Sequence, residues 1–138
     1  MARIEPLATL VDSSAIIDVL SANARWGDWS SGAIADARGR GALVINPIVY
    51  AEVAPRFTRR EELDVALAGY RRQPLPWAAA YLAGRAHATY RRRGGRRTTT
   101  LPDFLIGAHA AVAGMRLLTR DPVRYRTYFP GVDLIAPA

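Results

Sequence analysis

The chain contains no cysteine, which excludes disulfide cross-links, thiolate nucleophiles and thiolate metal ligands together. It has only two histidines, His87 and His109, too far apart for a local paired-histidine motif, so zinc is not expected. No run approaches the roughly 20 consecutive apolar residues that a membrane span requires. The first residues lack a basic region followed by an apolar core and a cleavage site, so the sequence reads as cytoplasmic. Lysine is absent as well: all 19 basic residues are arginine.

Against 12 acidic residues, those arginines leave a net charge of +7. Guanidinium groups meet phosphate oxygens with a rigid two-pronged fork, which favours a polyanionic partner such as RNA. A GC-rich genome produces the same lysine deficit through codon choice, so charge alone does not decide. Half the residues are apolar and 22% are charged, the balance of a chain that folds. A length of 138 residues suits one domain over 1–138, in which one fold supplies both core and site.

Apolar runs too short for helices alternate with longer stretches of helical period, the pattern of an α/β domain with a mainly parallel sheet. Thr9 to Val11, Leu43 to Ile45 and Leu117-Leu118 read as strands, with Val132 to Ile135 as an edge strand between Pro130-Gly131 and Pro137. A helix follows the first strand from Ser14 to Leu20. Asn46 as cap and Pro47 at the first helical position open another. Thr58 and Glu61 form a capping-box pattern for a helix running to about Arg72, before Pro74 and Pro76. Further helices are expected from Trp77 to Arg92, and from Thr100, Pro102 and Asp103 to about Met115.

Four of the acids lie inside or against apolar segments instead of on solvated faces: Asp12, Glu52, Asp103 and Asp121. Asp12 ends the first strand and Asp121 follows the later one, and the carboxyl ends of strands are where open α/β sheets bind ligands. Glu52 sits beside the apolar face of its helix, and Asp103 lies in the first turn of another. Carboxylates brought together repel one another and raise each other's pKa values unless a cation is supplied. All-oxygen ligation suits Mg²⁺ or Mn²⁺, and the matching chemistry is phosphodiester hydrolysis by metal-activated water. Each acid also has a local role open to it. Asp103 can complete a capping box with Thr100, Asp121 can cap a helix or turn, Asp12 can be a turn acid, and Glu52 can pair with Arg56.

In order and spacing, four segments resemble the PIN domain, and specifically the VapC toxins of bacterial toxin–antitoxin pairs. They are Leu10-Val11-Asp12-Ser13-Ser14, Asn46-Pro47-Ile48-Val49-Tyr50-Ala51-Glu52, Pro102-Asp103-Phe104-Leu105-Ile106 and Leu117-Leu118-Thr119-Arg120-Asp121. The resemblance implies a three-layer α/β/α sandwich around a mainly parallel sheet. It places the metal-site acids on Asp12, Glu52, Asp103 and Asp121, with Ser14 and Thr119 as supporting polar residues. It also implies an Mg²⁺- or Mn²⁺-dependent ribonuclease, a homodimer, and neutralisation by a VapB-type antitoxin. The stretch from Ala22 to Arg40 matches no family motif.

Tyr90 to Arg97 carries five arginines, Arg91, Arg92, Arg93, Arg96 and Arg97, around Gly94-Gly95. With Arg120 they are candidate contacts to RNA phosphates; the alternative for the run is a solvated helix end whose cations complement the dipole. Glu61, Glu62 and Asp64 read as an ordinary solvated face. The histidines read as packing residues, and Trp26, Trp29 and Trp77 as core or dimer-interface residues. Two other functions are open to a chain of this pattern. A PIN-type module that binds RNA or protein without cleaving would carry the same fold, but the complete acid set disfavours it. Receiver and haloacid-dehalogenase-type domains also put aspartates at strand ends, but they need a site lysine, and this chain has none.

Overall fold

The structure, a computed structural model, describes residues 7–95 and 100–138. Thr9–Val11 (β1), Leu43–Ile45 (β2), Arg71–Arg72 (β3), Arg116–Leu118 (β4) and Leu134–Ile135 (β5) form one sheet in the order β3-β2-β1-β4-β5. Every neighbouring pair is parallel. Around it lie α1 (Ser13–Leu20), α2 (Gly27–Arg40), α3 (Pro47–Val53), α4 (Arg60–Ala66), α5 (Trp77–Arg92), α6 (Leu101–Ala113) and α7 (Val123–Tyr128). From β1 the chain builds outward through β2 to β3, then crosses to the other side of β1 for β4 and β5. Crossovers between parallel strands favour one hand, so crossovers that run in opposite directions from β1 put helices on both faces, the arrangement of an α/β/α sandwich.

The strands are short and almost wholly buried at the centre, where Leu10, Val11, Val44, Leu117 and Leu118 are fully inaccessible. Parallel strands covered on both faces read as unbroken apolar runs, and these do. Each fully buried Leu or Val contributes roughly 1.5–3 kcal/mol. Asn46 caps α3 as its sequence suggests, its Oδ1 accepting from the Val49 N–H at 2.9 Å. That fixes the amide so that Nδ2 faces the buried His109, donating to Nδ1 at 3.1 Å. Burial lowers the pKa of His109. It is a packed histidine.

Several expectations change. The helix expected from Thr58 to Arg72 is only α4, Arg60–Ala66, and it has no side-chain cap. Arg71-Arg72 leaves it to pair with β2 as an edge strand, because tertiary pairing outweighs local helical pattern. Asp64, expected on a solvated face, accepts from the Tyr50 hydroxyl and from Arg72, each at 2.7 Å, tying α3, α4 and β3 together. Helices α2 and α7 were not anticipated from the sequence. Trp77 is 92% exposed and so is not a core residue, whereas Trp29 packs against the core. The C-terminal strand lies at the sheet edge, as expected.

Candidate active site

The crossover reverses direction between β1 and β4, and the crevice outside such a reversal is where an open α/β sheet accepts ligands. Val11 and Leu118 are register partners, and the Asp12 N–H donates to the Leu118 carbonyl at 2.8 Å. The next residues on the two strands, Asp12 and Thr119, are therefore side by side. Thr119 Oγ1 donates to Asp12 Oδ2 at 2.7 Å, and Ser14 Oγ donates to the same oxygen at 3.0 Å. Oδ1 receives only a long 3.5 Å contact from Ser13. One oxygen of a nearly buried carboxylate is thus anchored, and the other keeps its lone pairs.

Asp12 opens α1, yet its side chain makes no capping bond to the helix. Glu52, half-buried on α3, accepts from Ser13 Oγ at 2.9 Å, so it is held by the first residue of α1 and not by Arg56. Asp103, in the first turn of α6, is engaged by the Arg124 guanidinium of α7, and Thr100 makes no side-chain capping bond to α6. Asp121 is 68% exposed beside Arg120; its backbone N–H donates to Thr119 Oγ1 at 3.1 Å, and Pro122, not Asp121, is the cap of α7.

Asp12, Asp103 and Asp121 line one cleft of about 700 Å³ with Ser13, Ser14 and Arg124, and Tyr90 and Tyr128 form part of its wall. Glu52 joins them electrostatically. Burial raises the Asp12 pKa above the ordinary carboxylate range, the Thr119 and Ser14 hydroxyls oppose the rise, and the charge of Asp103 adds to it. Glu52 is likewise raised by burial, opposed by Ser13, with Asp12 and Asp103 contributing. Asp103 is raised by burial in spite of Arg124. The Tyr125 hydroxyl lies buried near this negative cluster without reaching hydrogen-bond geometry to any described partner. Its pKa is pushed well up, by burial first and then by Asp12, Asp103 and Glu52. Among the described residues only Arg124, on Asp103, and Arg120, 3.5 Å from Asp121, stand beside these four acids, which leaves a charge deficit that a hard cation would offset.

Among the described residues, no three His, Asp or Glu side chains stand close enough together to hold a metal ion as placed. Ser13 restrains Glu52, and Arg124 restrains Asp103. The donor set nevertheless fits Mg²⁺ or Mn²⁺: carboxylate oxygens only, with one buried carboxylate anchored through a single oxygen and its other oxygen held only by a long contact. Ser14 and Thr119 both support Asp12. Arg120 points elsewhere, its Nε on Asp18 at 2.9 Å, and Asp18 is 1% exposed and also accepts from Ser30. Arg91, Arg92 and Arg93 are exposed at the end of α5. Arg96 and Arg97 lie outside the described residues.

Ser13, Asp18, Arg124 and Tyr125 escaped sequence reasoning. A serine beside an aspartate and an arginine in a short polar helix carry no periodic signal. Only the Asp-Pro pair ahead of Arg124 hinted that a helix begins there.

No curated protein matches the chain. Among solved structures it is similar to VapBC2 from Rickettsia felis bound to a promoter DNA fragment, with 14% identity, 96% of this chain and 100% of that one covered, and a TM-score of 0.73. It is also similar to VapBC-1 from nontypeable Haemophilus influenzae (17% identity, 94% and 98% covered, TM-score 0.70). A toxin–antitoxin complex from Klebsiella pneumoniae is similar at 21% identity, with 94% and 98% covered and a TM-score of 0.61. At such identities the likeness is one of fold. The PIN domain model matches residues 9–130, nearly the whole described chain, and on that match the protein belongs to the PIN domain family.

Proposed function

We propose that the protein is an Mg²⁺- or Mn²⁺-dependent endoribonuclease that acts as the VapC-type toxin of a toxin–antitoxin pair. The observation that carries this reading is Asp12: a carboxylate buried at the reversal of the sheet, with one oxygen held by Thr119 and Ser14, Asp103 and Glu52 coupled to its charge, and Asp121 lining the same cleft.

Asp12, Glu52, Asp103 and Asp121 would hold the cation, which when bound supplies a water of lowered pKa and offsets charge on the phosphate. Thr119 and Ser14 keep Asp12 Oδ2 fixed, which sets the orientation of the carboxylate at the cleft. Ser13 sets the position of Glu52. The open cleft of about 700 Å³ leaves room for a nucleic-acid strand. Arg91, Arg92, Arg93, Arg96 and Arg97 would attract its phosphates, a contribution that gives affinity but little sequence preference. The solved structures of similar fold that are toxin–antitoxin complexes support a VapB-type antitoxin as partner. The homodimer and the cytoplasmic site of action belong to the same reading; no described helix is long and apolar enough to cross a membrane.

The test is cleavage of total RNA by the purified protein with Mg²⁺, with Mn²⁺ and with chelator, beside Asp12→Asn and Asp103→Asn. Discrete metal-dependent fragments that vanish in both variants support the reading. RNA binding without cleavage under every condition would replace it with a non-catalytic binding module.

A further inference from the structure

We propose that Arg124 is an exchangeable counter-cation: it holds Asp103 while the acid cluster carries no divalent ion, and releases it when one binds. This rests on the metal-site reading above, but it concerns a residue that reading does not use.

Arg124 is the only basic residue among the described residues that line the cleft, and its guanidinium contacts Asp103 Oδ2 directly. No other described cation pairs with Asp12, Glu52 or Asp103; Arg120 is committed to Asp18 and lies 3.5 Å from Asp121. The two arginines differ in the partner they hold. Asp18 is 1% exposed, so Arg120 is locked in place by the cost of leaving a buried charge unpaired. Asp103 is 35% exposed and faces the cleft, where water and ions reach it. A guanidinium does not lose its proton at accessible pH, so while Asp103 is ionised Arg124 and a divalent cation compete for the same carboxylate.

In the pose that holds Asp103, the Arg124 guanidinium carbon also lies 5.4 Å from the centre of the Tyr90 ring, within cation–π range, a contact that does not depend on Asp103. Tyr90 lines the same cleft. The pivot is firm: α7 packs on α6 at Gly107, where a Cβ would meet the Phe129 ring at 2.5 Å and the Tyr125 ring at 3.0 Å. The exchange therefore needs only side-chain rotation about a fixed helix. It leaves Arg124 over Tyr90, on the wall of the cleft that a phosphodiester would enter.

The test is Mn²⁺ affinity of the RNA-free protein, read by electron paramagnetic resonance of the unbound ion, for the wild type, Arg124→Met, Arg124→Lys and Arg126→Met. Removing a cation beside the site should tighten Mn²⁺ binding on the order of tenfold in Arg124→Met. Arg124→Lys should stay near the wild type, and so should Arg126→Met, which removes an exposed charge from the same helix. In the wild type, the Arg124 Nε–H resonance, identified by its loss in Arg124→Met, should move on saturation with Mg²⁺. A wild type that binds Mn²⁺ and cleaves RNA while a folded Arg124→Met binds no more tightly overturns this inference and leaves the nuclease reading intact. Absence of Mn²⁺ binding in the wild type and in Arg124→Met overturns both.

Discussion

Thr119 donates its hydroxyl at 2.7 Å to Oδ2 of Asp12, a residue 107 positions earlier in the chain. The bond exists because β1 and β4 are adjacent parallel strands in register, so the residue that follows each strand meets its counterpart at the rim. With the bond from Ser14 to the same oxygen, it fixes the orientation of a buried carboxylate.

Asp12→Asn should stabilise the metal-free protein. The native pKa of Asp12 is raised above its ordinary value, so the folded state takes up this proton more readily than the unfolded chain does. The cost of the charge is then fully present above the folded pKa and disappears below the unfolded one. The variant should melt several degrees higher than the wild type at neutral pH, and the gap should close as pH falls through the carboxylate range. Thermal unfolding of both proteins across pH in chelator checks this; a gap that widens on acidification contradicts it.

Added Mg²⁺ or Mn²⁺ should stabilise the wild type and not Asp12→Asn. A ligand that binds only the native state adds about 2.7 kcal/mol at a hundredfold excess over its Kd. Differential scanning calorimetry with and without the cation measures this, and equal shifts in the two proteins would place the ion elsewhere.

Gly107→Ala should cost about 1–3 kcal/mol, the range for forcing an extra methyl into a packed core. The added Cβ would sit 2.5 Å from the Phe129 ring, so α7 must move away from α6 and take Arg124 with it. Urea denaturation should show a lower midpoint. An unchanged midpoint would mean that α7 is not held by this contact.

Arg120→Ala should lower stability by about 1–3 kcal/mol, the cost of leaving a buried acceptor with one partner fewer. Asp18 would retain only Ser30. The same substitution should leave the salt dependence of RNA binding nearly unchanged, because the guanidinium is committed inward. Filter binding across ionic strength, set beside chemical denaturation, separates the two roles; a lost phosphate contact with unaltered stability would restore Arg120 to the RNA surface.

Much of the site could be read from the sequence because its acids interrupt apolar runs. Asp12 after Leu10-Val11, and Asp121 shortly after Leu117-Leu118, announce strand ends, and the Asn46-Pro47 pair marks the start of α3 with its correct cap. What could not be read depends on partners far along the chain. Arg71-Arg72 continues a polar helical pattern and becomes a strand only because β2 offers an open edge. Ser13 looks like a helix-start residue until α3 brings Glu52 within 2.9 Å of it. Arg124 sits in a helix of six residues, too short to show periodicity, and its pairing with Asp103 spans 21 positions.

The most direct measurement is single-turnover cleavage of a short RNA in H₂¹⁸O with Mg²⁺ or Mn²⁺, followed by mass spectrometry of the product ends. Attack by a metal-activated water places one ¹⁸O in the product phosphate and leaves no cyclic end, and the reaction should fail in chelator and in Asp12→Asn. Products ending in a 2′,3′-cyclic phosphate without ¹⁸O, or cleavage that persists in chelator, would contradict it by showing that a ribose hydroxyl, and not water held at the four carboxylates, is the nucleophile.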